Sequence, residues 1–418
     1  MNDSTAARPQ PANAMPAWGW VLLAAGGTFA LTMGARQSMG LFVGNINTST
    51  GLGLASVSLA FAFGQLAWGL TQPLAGMVAD RWGPGRVLVL GISLVALGTW
   101  LIPLMRSTAG LILAIGVLAA GGAGMAGPSV LMAATTRLVA PAKRAMATGV
   151  VNAGGSFGQF IFAPIAQAIT SASGWVVAVQ SLAFITLLAL PAAWALRGAP
   201  AAALPGAAAA PRLSTGAAVS QALADPSFKL LAAGFFVCGF HVAFLATHLP
   251  GVVASCWLPP DVGAWSLAML GLFNIVGSVG IGLLMGWRGG QLQMKHLLSA
   301  IYAVRAVAVL VFVLAPKTTP VLLVFAAVMG LSYLSTVPPT AGLVVRFFGA
   351  SHMATLFGLV MVSHQVGGFL GAWLGGKVFE ATGSYDWMWV ADIALAVAAA
   401  LIHLPIKERR PAPVAAPG

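Results

Sequence analysis

The sequence predicts an all-α membrane protein with twelve transmembrane helices. The first observation behind this is composition: 7% of the 418 residues are charged and 59% are hydrophobic, with a mean hydropathy of +0.92. Soluble domains carry about 25% charged residues. A soluble core could not bury this much apolar surface, so we expect lipid to surround most of the chain. The other two observations are the lengths of the apolar runs and the positions of the basic residues.

The apolar runs each contain 19 or more residues, which is enough to cross about 30 Å of hydrocarbon. We interpret the first run as a retained helix, because it is longer than the apolar region of a signal peptide. The twelve predicted spans cover residues 18–43, 54–79, 87–105, 108–135, 145–170, 174–196, 229–254, 263–286, 296–315, 319–343, 353–376 and 386–405.

The basic residues between the spans fall almost entirely on one side of the predicted membrane. The other side has only Arg106, Lys317 and Lys377. The positive-inside rule therefore predicts that both termini and the even-numbered loops are cytoplasmic. The net charge of +12 is attributed to this topology, and no binding of nucleic acid is expected.

A segment rich in alanine, proline and glycine, residues 197–228, divides the spans into two groups of six. Its composition is typical of a linker. The predicted organisation is a cytoplasmic tail at 1–17, a six-helix bundle at 18–196, this cytoplasmic linker, a second six-helix bundle at 229–406 and a cytoplasmic tail at 407–418.

Several features recur in the two halves at nearly one offset. Gly76 and Gly282 lie 206 residues apart. Three further pairs lie 209 residues apart, namely Arg137 with Arg346, Gly149 with Gly358, and Gly158 with Gly367. This pattern, with a linker at its midpoint, indicates an internal duplication.

The loop after the second predicted span reads "GMVADRWGPGR" and contains Gly76, Asp80, Arg81, Gly83 and Arg86. It resembles the cytoplasmic loop motif of the major facilitator superfamily. The resemblance implies a transporter whose two six-helix bundles rock about a central site, with these residues at the cytoplasmic gate. The alternative is a solvated turn that only carries positive-inside charges.

The second copy of this loop, "GLLMGWRGG" from Gly282, lacks the acidic residue. Gating charge pairs are therefore expected mainly in the N-terminal half. Asp80 with Arg137 is the pair that we hypothesise.

Polar side chains recur at helical spacing inside several spans, where they usually face a cavity or a partner. The second span has Gln65, Trp68 and Gln72 in such a stripe. For any one of these residues, a hydrogen bond that only packs the bundle is an equal alternative. The predicted substrate contacts, besides Arg36, are Gln37, Asn152, Gln159, His241, Asn274, Tyr333, His364 and Gln365.

Arg36 lies late in the first predicted span, in the stretch "LTMGARQSMGLFV". An unpaired arginine at this depth costs on the order of 2–3 kcal/mol on insertion scales. We find no acidic residue in the core of the predicted bundle, since Asp392 is placed near the outer end of the twelfth span. The missing counter-charge is therefore expected to be the substrate's, and a carboxylate suits the two-pronged guanidinium. The alternative is that the side chain snorkels to the interface.

The segments "GARQSMGLF" and "SHQVGGFLGAWLGGKVFEATGSYD" resemble the monocarboxylate and oxalate–formate porter branch of the superfamily. The resemblance implies a functional basic residue late in the first helix, which Arg36 matches. The sequence departs from that branch because the eighth span has no second cation. The eleventh offers only His364, with Lys377 at its end. Arg305, in the ninth span, is expected to make a structural bond together with Tyr302.

Proton coupling in such porters needs a group that titrates inside the membrane. With no carboxylate in the predicted core, His241, His248 and His364 are the candidates, because imidazole titrates near physiological pH. The alternative for each is a histidine satisfied by a neighbouring helix.

The predicted function is secondary transport of a small organic anion, a monocarboxylate, by proton symport across the cytoplasmic membrane. Efflux of an amphipathic drug or metabolite is the alternative. The sequence has no HExxH motif and no metal-ligand spacing of Cys and His, so neither an enzyme nor a bound metal or cofactor is expected. A monomer in the lipid bilayer is expected, since twelve helices suffice for one transporter.

Overall fold

The computed structural model describes residues 17–140, 144–197, 215–287, 292–349 and 353–408. Within these ranges all regular structure is helical. Eleven of the described helices are long and apolar enough to cross a membrane. They are Trp18–Thr50, Leu54–Trp82, Pro84–Leu104, Thr108–Thr135, Trp175–Ala195, Pro226–Ser255, Pro260–Gly286, Met294–Leu314, Thr319–Phe348, Thr355–Thr382 and Asp386–His403.

The fifth predicted span corresponds to the helix Arg144–Ser173, which has 30 residues. It is about 45 Å long, which exceeds the thickness of the hydrocarbon, but it is more polar than the eleven others. Asn152, Gln159 and Gln167 account for part of that polarity. The predicted all-α membrane fold is confirmed, and eleven of the twelve predicted spans meet the length and apolarity of a membrane helix.

The tenth span is broken between the helices Thr319–Ser332 and Val337–Phe348. Pro338 follows the break and has no N–H to donate to the carbonyl of Leu334. Val337 N donates to that carbonyl instead, at 3.0 Å. This tighter turn leaves the carbonyl of Tyr333 without its helical donor, and the break becomes part of the polar interior described below.

Close packing of helix pairs agrees with the duplication inferred from sequence. A Cβ atom built on Gly158 in the fifth span would lie 2.1 Å from the carbonyl oxygen of Ala30 in the first. A Cβ atom built on Gly367 in the eleventh would lie 2.0 Å from the carbonyl oxygen of Phe236 in the seventh. Gly158 and Gly367 therefore occupy equivalent positions in the two halves, and both let helix backbones touch.

The two bundles meet at the end that carries residues 51–53 and 383–385, which the charge pattern places outside and which we call the predicted outer end. The second and eleventh spans pack together there. A Cβ built on Gly376 would meet Ser58 Oγ at 2.0 Å, and one built on Gly69 would meet Gln365 Cγ at 2.3 Å. Ala55 N donates to Glu380 Oε2 at 2.7 Å.

The same helix faces separate towards the opposite end, which we call the predicted inner end. Gly76 lies seven residues after Gly69, and Gly358 lies seven residues before Gln365, so each shares a face with its contact residue. A Cβ built on either glycine would meet no atom of the described residues within 4 Å, and the same holds for Gly149 and Gly282. The bundles are therefore apart around these glycines at the predicted inner end in this conformation.

Residues 198–214 of the predicted linker lie outside the described residues. The remainder is not entirely irregular, because Thr215–Ala224 forms a helix. Ala222 in this helix is fully buried, in a cluster with Phe228 at the start of the seventh span. The linker therefore ends as a packed helix, which its alanine content allows.

Replacing Glu380 with glutamine is expected to favour opening at the predicted outer end. The Glu380 carboxylate lies at the N-terminus of the second span, where it accepts a hydrogen bond from Ala55 N. Such a charge is worth about 0.3–1 kcal/mol at an exposed helix end, so its loss should raise the open population about two- to five-fold.

The measurement is the rate at which a maleimide labels a cysteine introduced at Ser58, in protein whose Cys256 is replaced with serine. The labelling rate is proportional to the open population, so labelling of the E380Q protein should be roughly two- to five-fold faster than that of the parent. Asp386→Asn, which removes an exposed charge from the same end, is the control. Equal rates for E380Q and the parent would show that this contact does not hold the bundles together.

Candidate functional site

Arg36 lies in the first span with its guanidinium turned towards the second. Its Nη2 donates to Gln65 Oε1 at 2.9 Å, and its Cζ lies 5.2 Å from the centroid of the Trp68 ring. The residue is half-buried. These contacts with an interior helix face disfavour the snorkelling alternative. No carboxylate of the described residues forms an ion pair with Arg36. The neutral amide of Gln65 and the ring of Trp68 stabilise its charge but do not neutralise it.

Two glutamine side chains near the contact between the bundles are buried without hydrogen-bond partners. Gln365 is 3% exposed and packs against Gly69, next to Trp68. Gln159 is fully buried beside Gly271 of the eighth span. Neither amide oxygen and neither amide nitrogen has a partner. Unsatisfied buried amides are unusual and call for an explanation. Binding of a polar ligand would explain them, because these amides belong to the polar stripes of helices near Arg36.

Asn274 makes hydrogen bonds to protein partners from both atoms of its amide. Its Nδ2 donates to Ser156 Oγ at 2.7 Å, and its Oδ1 accepts from Leu334 N at 3.0 Å. It therefore ties the fifth, eighth and tenth spans together. For Asn274 the geometry favours the packing alternative in this conformation.

Ser156 lies in the segment Gly154–Gly158, which reads "GGSFG" and matches the Gly-x-Ser-x-Gly pattern of a nucleophile elbow. That motif requires a sharp turn from a strand into a helix. Here the segment lies inside the continuous helix Arg144–Ser173, and the serine hydroxyl accepts from Asn274. The match is therefore structural and indicates no hydrolase.

Three of the other predicted contacts, apart from the histidines, differ in their surroundings. Tyr333 is 2% exposed, donates to the Val242 carbonyl at 2.9 Å and lies within electrostatic range of Arg36. Gln37 is half-buried, and Asn152 is exposed on the fifth span. All three stay predictions as substrate contacts.

The candidate histidines occupy three different environments. His248 Nε2 lies 2.7 Å from the carbonyl oxygen of Ala372 and packs the seventh span against the eleventh. The His364 ring lies with its centroid 4.8 Å from that of Phe235 and is tilted by 45° to it, and neither of its ring nitrogens has a hydrogen-bond partner. His241 Nε2 lies 3.1 Å from the backbone oxygen of Asp392. The structure therefore favours a packing role for His248.

Arg305 is 1% exposed inside the second bundle and binds the break in the tenth span. Its Nη2 donates to the carbonyl oxygens of Ser332 and Tyr333, the latter at 2.7 Å. Its Cζ also lies 5.1 Å from the centroid of the Tyr302 ring. These are the structural bonds that the sequence predicted for Arg305, and they satisfy carbonyls that the proline-induced break leaves free.

The expectation that no acidic residue lies in the core of the bundle is wrong. Asp392 is fully buried, and its Oδ1 lies 3.4 Å from His241 Nε2. The twelfth span begins at Asp386, so Asp392 is almost two turns inside it. Helical spacing gave a signal for this position, because four residues that fall on one helix face are all buried, namely Trp389, Asp392, Ala396 and His403.

The predicted gate residues lie at the predicted inner end, where the bundles are apart. Gly83 ends the second span with a φ of 90°, a backbone conformation that glycine adopts without strain. Asp80, Arg81 and Arg86 are exposed. The Arg137 side chain lies outside the described residues, so its pairing with Asp80 stays a hypothesis.

The second half replaces the acidic residue that its loop lacks. Arg346, the repeat equivalent of Arg137, forms an ion pair with Glu408, which follows the twelfth span. The other carboxylate oxygen of Glu408 accepts from Lys295 N at 2.7 Å. The second half therefore makes an ion pair at the arginine equivalent to Arg137, and the expectation that gating charge pairs lie mainly in the first half stays a prediction.

Comparison with known families gives the identity of the fold. The model of the Major Facilitator Superfamily matches residues 24–301, more than half of the chain. The chain belongs to this superfamily. Human monocarboxylate transporter 11 is 26% identical over 420 residues, which cover 97% of this chain and 87% of that protein. Monocarboxylate transporter 13 of Rattus norvegicus is 27% identical over 398 residues, covering 93% of this chain and 89% of that protein.

A shorter match extends the resemblance to the other branch named above. The oxalate:formate antiporter of Oxalobacter formigenes is 28% identical over 141 residues, covering 34% of this chain and 33% of that protein. These relatives are transporters, which confirms the prediction that this major facilitator protein is a multi-pass membrane transporter and not an enzyme.

Solved structures support the same fold. A bacterial homologue of the human lysosomal transporter Spinster, in an inward-facing and occupied conformation, superposes with a TM-score of 0.68 at 16% identity, covering 94% of this chain and 95% of that one. A point mutant of the nucleoside transporter NupG superposes with a TM-score of 0.75 at 13% identity, covering 93% of this chain and 99% of that one.

Proposed function

We propose that this transporter carries a small monocarboxylate together with a proton across the cytoplasmic membrane. The observation that carries the proposal is Arg36, a half-buried guanidinium that is bound on one side by Gln65 and Trp68 and has no carboxylate partner among the described residues. A substrate carboxylate could accept two parallel N–H bonds from such a group. The named monocarboxylate relatives support the same substrate class.

The groups around Arg36 suit a short anion. Gln365 lies beside Trp68 through its contact with Gly69, and its amide has both donors and acceptors free. Polar groups of this kind would orient a hydroxyl or keto oxygen next to the carboxylate. Trp68 adds an apolar surface for a short carbon chain, and its buried Nε1 is also without a partner.

The transport cycle follows from the separation of the bundles. In this conformation they touch at the predicted outer end and are apart at the predicted inner end, so the site opens to the predicted cytoplasmic side. Rocking of residues 18–196 against 229–406 about the central site would expose it alternately to the two sides. A proton that travels with the anion makes the loaded site nearly neutral, which eases its passage through a low-dielectric interior.

Reconstituted wild-type protein is expected to accumulate radiolabelled L-lactate or pyruvate when the vesicle interior is more alkaline. A difference of about one pH unit supports roughly tenfold accumulation for one proton per anion. Vesicles without protein, and a proton ionophore that removes the gradient, are the controls. Absence of uptake of both acids would sink the assignment of the substrate.

The efflux alternative is tested in the same vesicles with radiolabelled tetraphenylphosphonium. A guanidinium in the central site repels a lipophilic cation at short range, so we expect no transport of this probe. Transport of the cation, with no movement of lactate, would favour the efflux alternative.

A further inference from the structure

A buried acid and a buried base face each other inside the second bundle, away from Arg36. Asp392 and His241 are 0% and 1% exposed, and the Asp392 Oδ1 to His241 Nε2 distance is 3.4 Å. Neither carboxylate oxygen of Asp392 has a hydrogen-bond partner, nor does His241 Nδ1. An ionised carboxylate is very unfavourable in such a site unless it is paired and hydrogen-bonded, whereas a neutral carboxyl is tolerated.

Arg305 is the cation that could pair with Asp392, but it is engaged elsewhere. It interacts electrostatically with Asp392, yet its Nη2 is bound to the carbonyl oxygens of Ser332 and Tyr333. Its Nη1 has no hydrogen-bond partner. The guanidinium therefore has two competing sets of acceptors, the carbonyls at the break and the carboxyl of Asp392.

Arg305 is the charged group that acts on both members of this pair. Three further titratable residues lie against Arg305 and not against the pair itself. Its Nη2 lies 3.7 Å from Cys238 Sγ and binds the carbonyl oxygen of Tyr333, and its Cζ lies 5.1 Å from the centroid of the Tyr302 ring. His364 interacts in turn with Cys238.

We propose that Asp392 is the proton-binding site of this transporter, which deepens the proposed function and rests on its proton symport. In the conformation described here the carboxyl is protonated, and Arg305 holds the break in the tenth span. When Asp392 releases its proton, the carboxylate attracts Arg305 away from the carbonyls of Ser332 and Tyr333. The proton moves to water that enters the open bundle, and no other covalent bond is made or broken.

This exchange of partners connects the proton site with the substrate site. The break that Arg305 holds contains Tyr333, which lies within electrostatic range of Arg36, and Leu334, whose N–H binds Asn274 between the bundles. Release of the break would therefore alter both the surroundings of Arg36 and a contact between the fifth and eighth spans. A two-state element of this kind is what coupling between two sites requires.

The first test is infrared spectroscopy of the purified full-length protein, read at the C=O stretch of a protonated carboxylic acid. The chain has eight acidic residues. Among those in the described part of the chain, Asp392 is the one that lies inside a helix and away from helix ends and loops. We expect this band in the wild type at neutral pH, its loss in Asp392→Asn, and its retention in Asp386→Asn, an exposed acid of the same helix. Absence of the band in the wild type, or its persistence in D392N, would overturn the proposal.

The second test separates proton coupling from substrate binding in reconstituted vesicles. Asparagine imitates the protonated carboxyl, so D392N should keep exchange of labelled for unlabelled lactate but lose the roughly tenfold accumulation driven by one pH unit. D386N should keep both. Accumulation by D392N at the wild-type level would contradict the proposal.

The two proposals can fail separately. A wild type that shows the carboxyl band, with its loss in D392N, but moves neither lactate nor pyruvate would retain the proton site and reject the monocarboxylate. Monitoring thermal unfolding of D392N shows whether the protein is folded. If D392N does not fold, the wild-type spectrum still tests the proton site, because absence of the carboxyl band there would overturn the proposal.

Discussion

Replacing Arg36 with glutamine is expected to reduce uptake of lactate or pyruvate at least about 30-fold. Loss of one partner from a buried hydrogen-bonded charge pair costs about 2–5 kcal/mol, and the lower end of this range is about 30-fold in binding. Glutamine keeps a polar side chain towards Gln65 and Trp68 but offers no charge to a carboxylate. The measurement is initial uptake in vesicles, with binding affinity from thermal shifts across a lactate titration.

Stability should move in the opposite direction. An unpaired arginine in a membrane helix costs on the order of 2–3 kcal/mol, so the R36Q protein should unfold at the wild-type temperature or above it. Arg36→Lys should retain part of the activity, because it keeps the charge but not the planar fork.

The matched control for Arg36 is Arg106→Gln. Arg106 is exposed and binds the carbonyl oxygen of Ser49 at 3.1 Å, so its replacement removes the same charge away from the site. Uptake by R106Q should equal that of the wild type. Unchanged uptake by R36Q would reject Arg36 as the anion anchor and leave the fold assignment intact.

Leucine at Gly158 or Gly367 is expected to prevent stable folding of the protein. At each position the Cβ atom alone would lie about 2 Å from a backbone carbonyl of the facing helix, and backbone cannot rotate away as a side chain can. Overpacking a tight core typically costs about 1–3 kcal/mol for about one added methylene, and more for larger groups. We expect loss of the monodisperse protein in detergent, with alanine at the same positions lowering the unfolding temperature.

Gly149 and Gly358 are the controls within the same two helices. Each lies nine residues before its partner, and a Cβ built there meets no atom of the described residues within 4 Å. The G149L and G358L proteins should therefore fold and keep the wild-type unfolding temperature. They lie on the faces that must approach when the predicted inner end closes, so transport should slow. Unfolding of G149L to the same extent as G158L would refute this account of the packing.

The fold could be predicted from local patterns because lipid imposes strong rules on sequence. The length of the apolar runs, the one-sided basic loops and the recurrence of Gly158 at Gly367 all follow from what a membrane helix must satisfy. The helix Arg144–Ser173 was predicted as a span like the others, although its polar residues reduce its hydropathy. The gate motif was equally visible, but the ion pair of Arg346 was not, because Glu408 is 62 residues away.

The sequence provides candidate site residues but not their partners. Arg36 and Gln365 were identified because an arginine or an amide inside an apolar helix is conspicuous in one dimension. Asn274 was identified for the same reason, but the structure shows its amide bound to Ser156 and Leu334. Sequence reveals that a polar group is present in a helix and does not reveal which group on another helix satisfies it.

The sequence by itself determined that this protein crosses the membrane as two related helical bundles with a cation in the first span. Hydrophobicity and charge act residue by residue, so they can be read along the chain. Only the tertiary structure decided that Asp392 faces His241 and lies within electrostatic range of Arg305, which are 151 and 87 residues away in the chain. Distant residues come together through the packing of whole helices, and the charge of a buried acid depends on those neighbours.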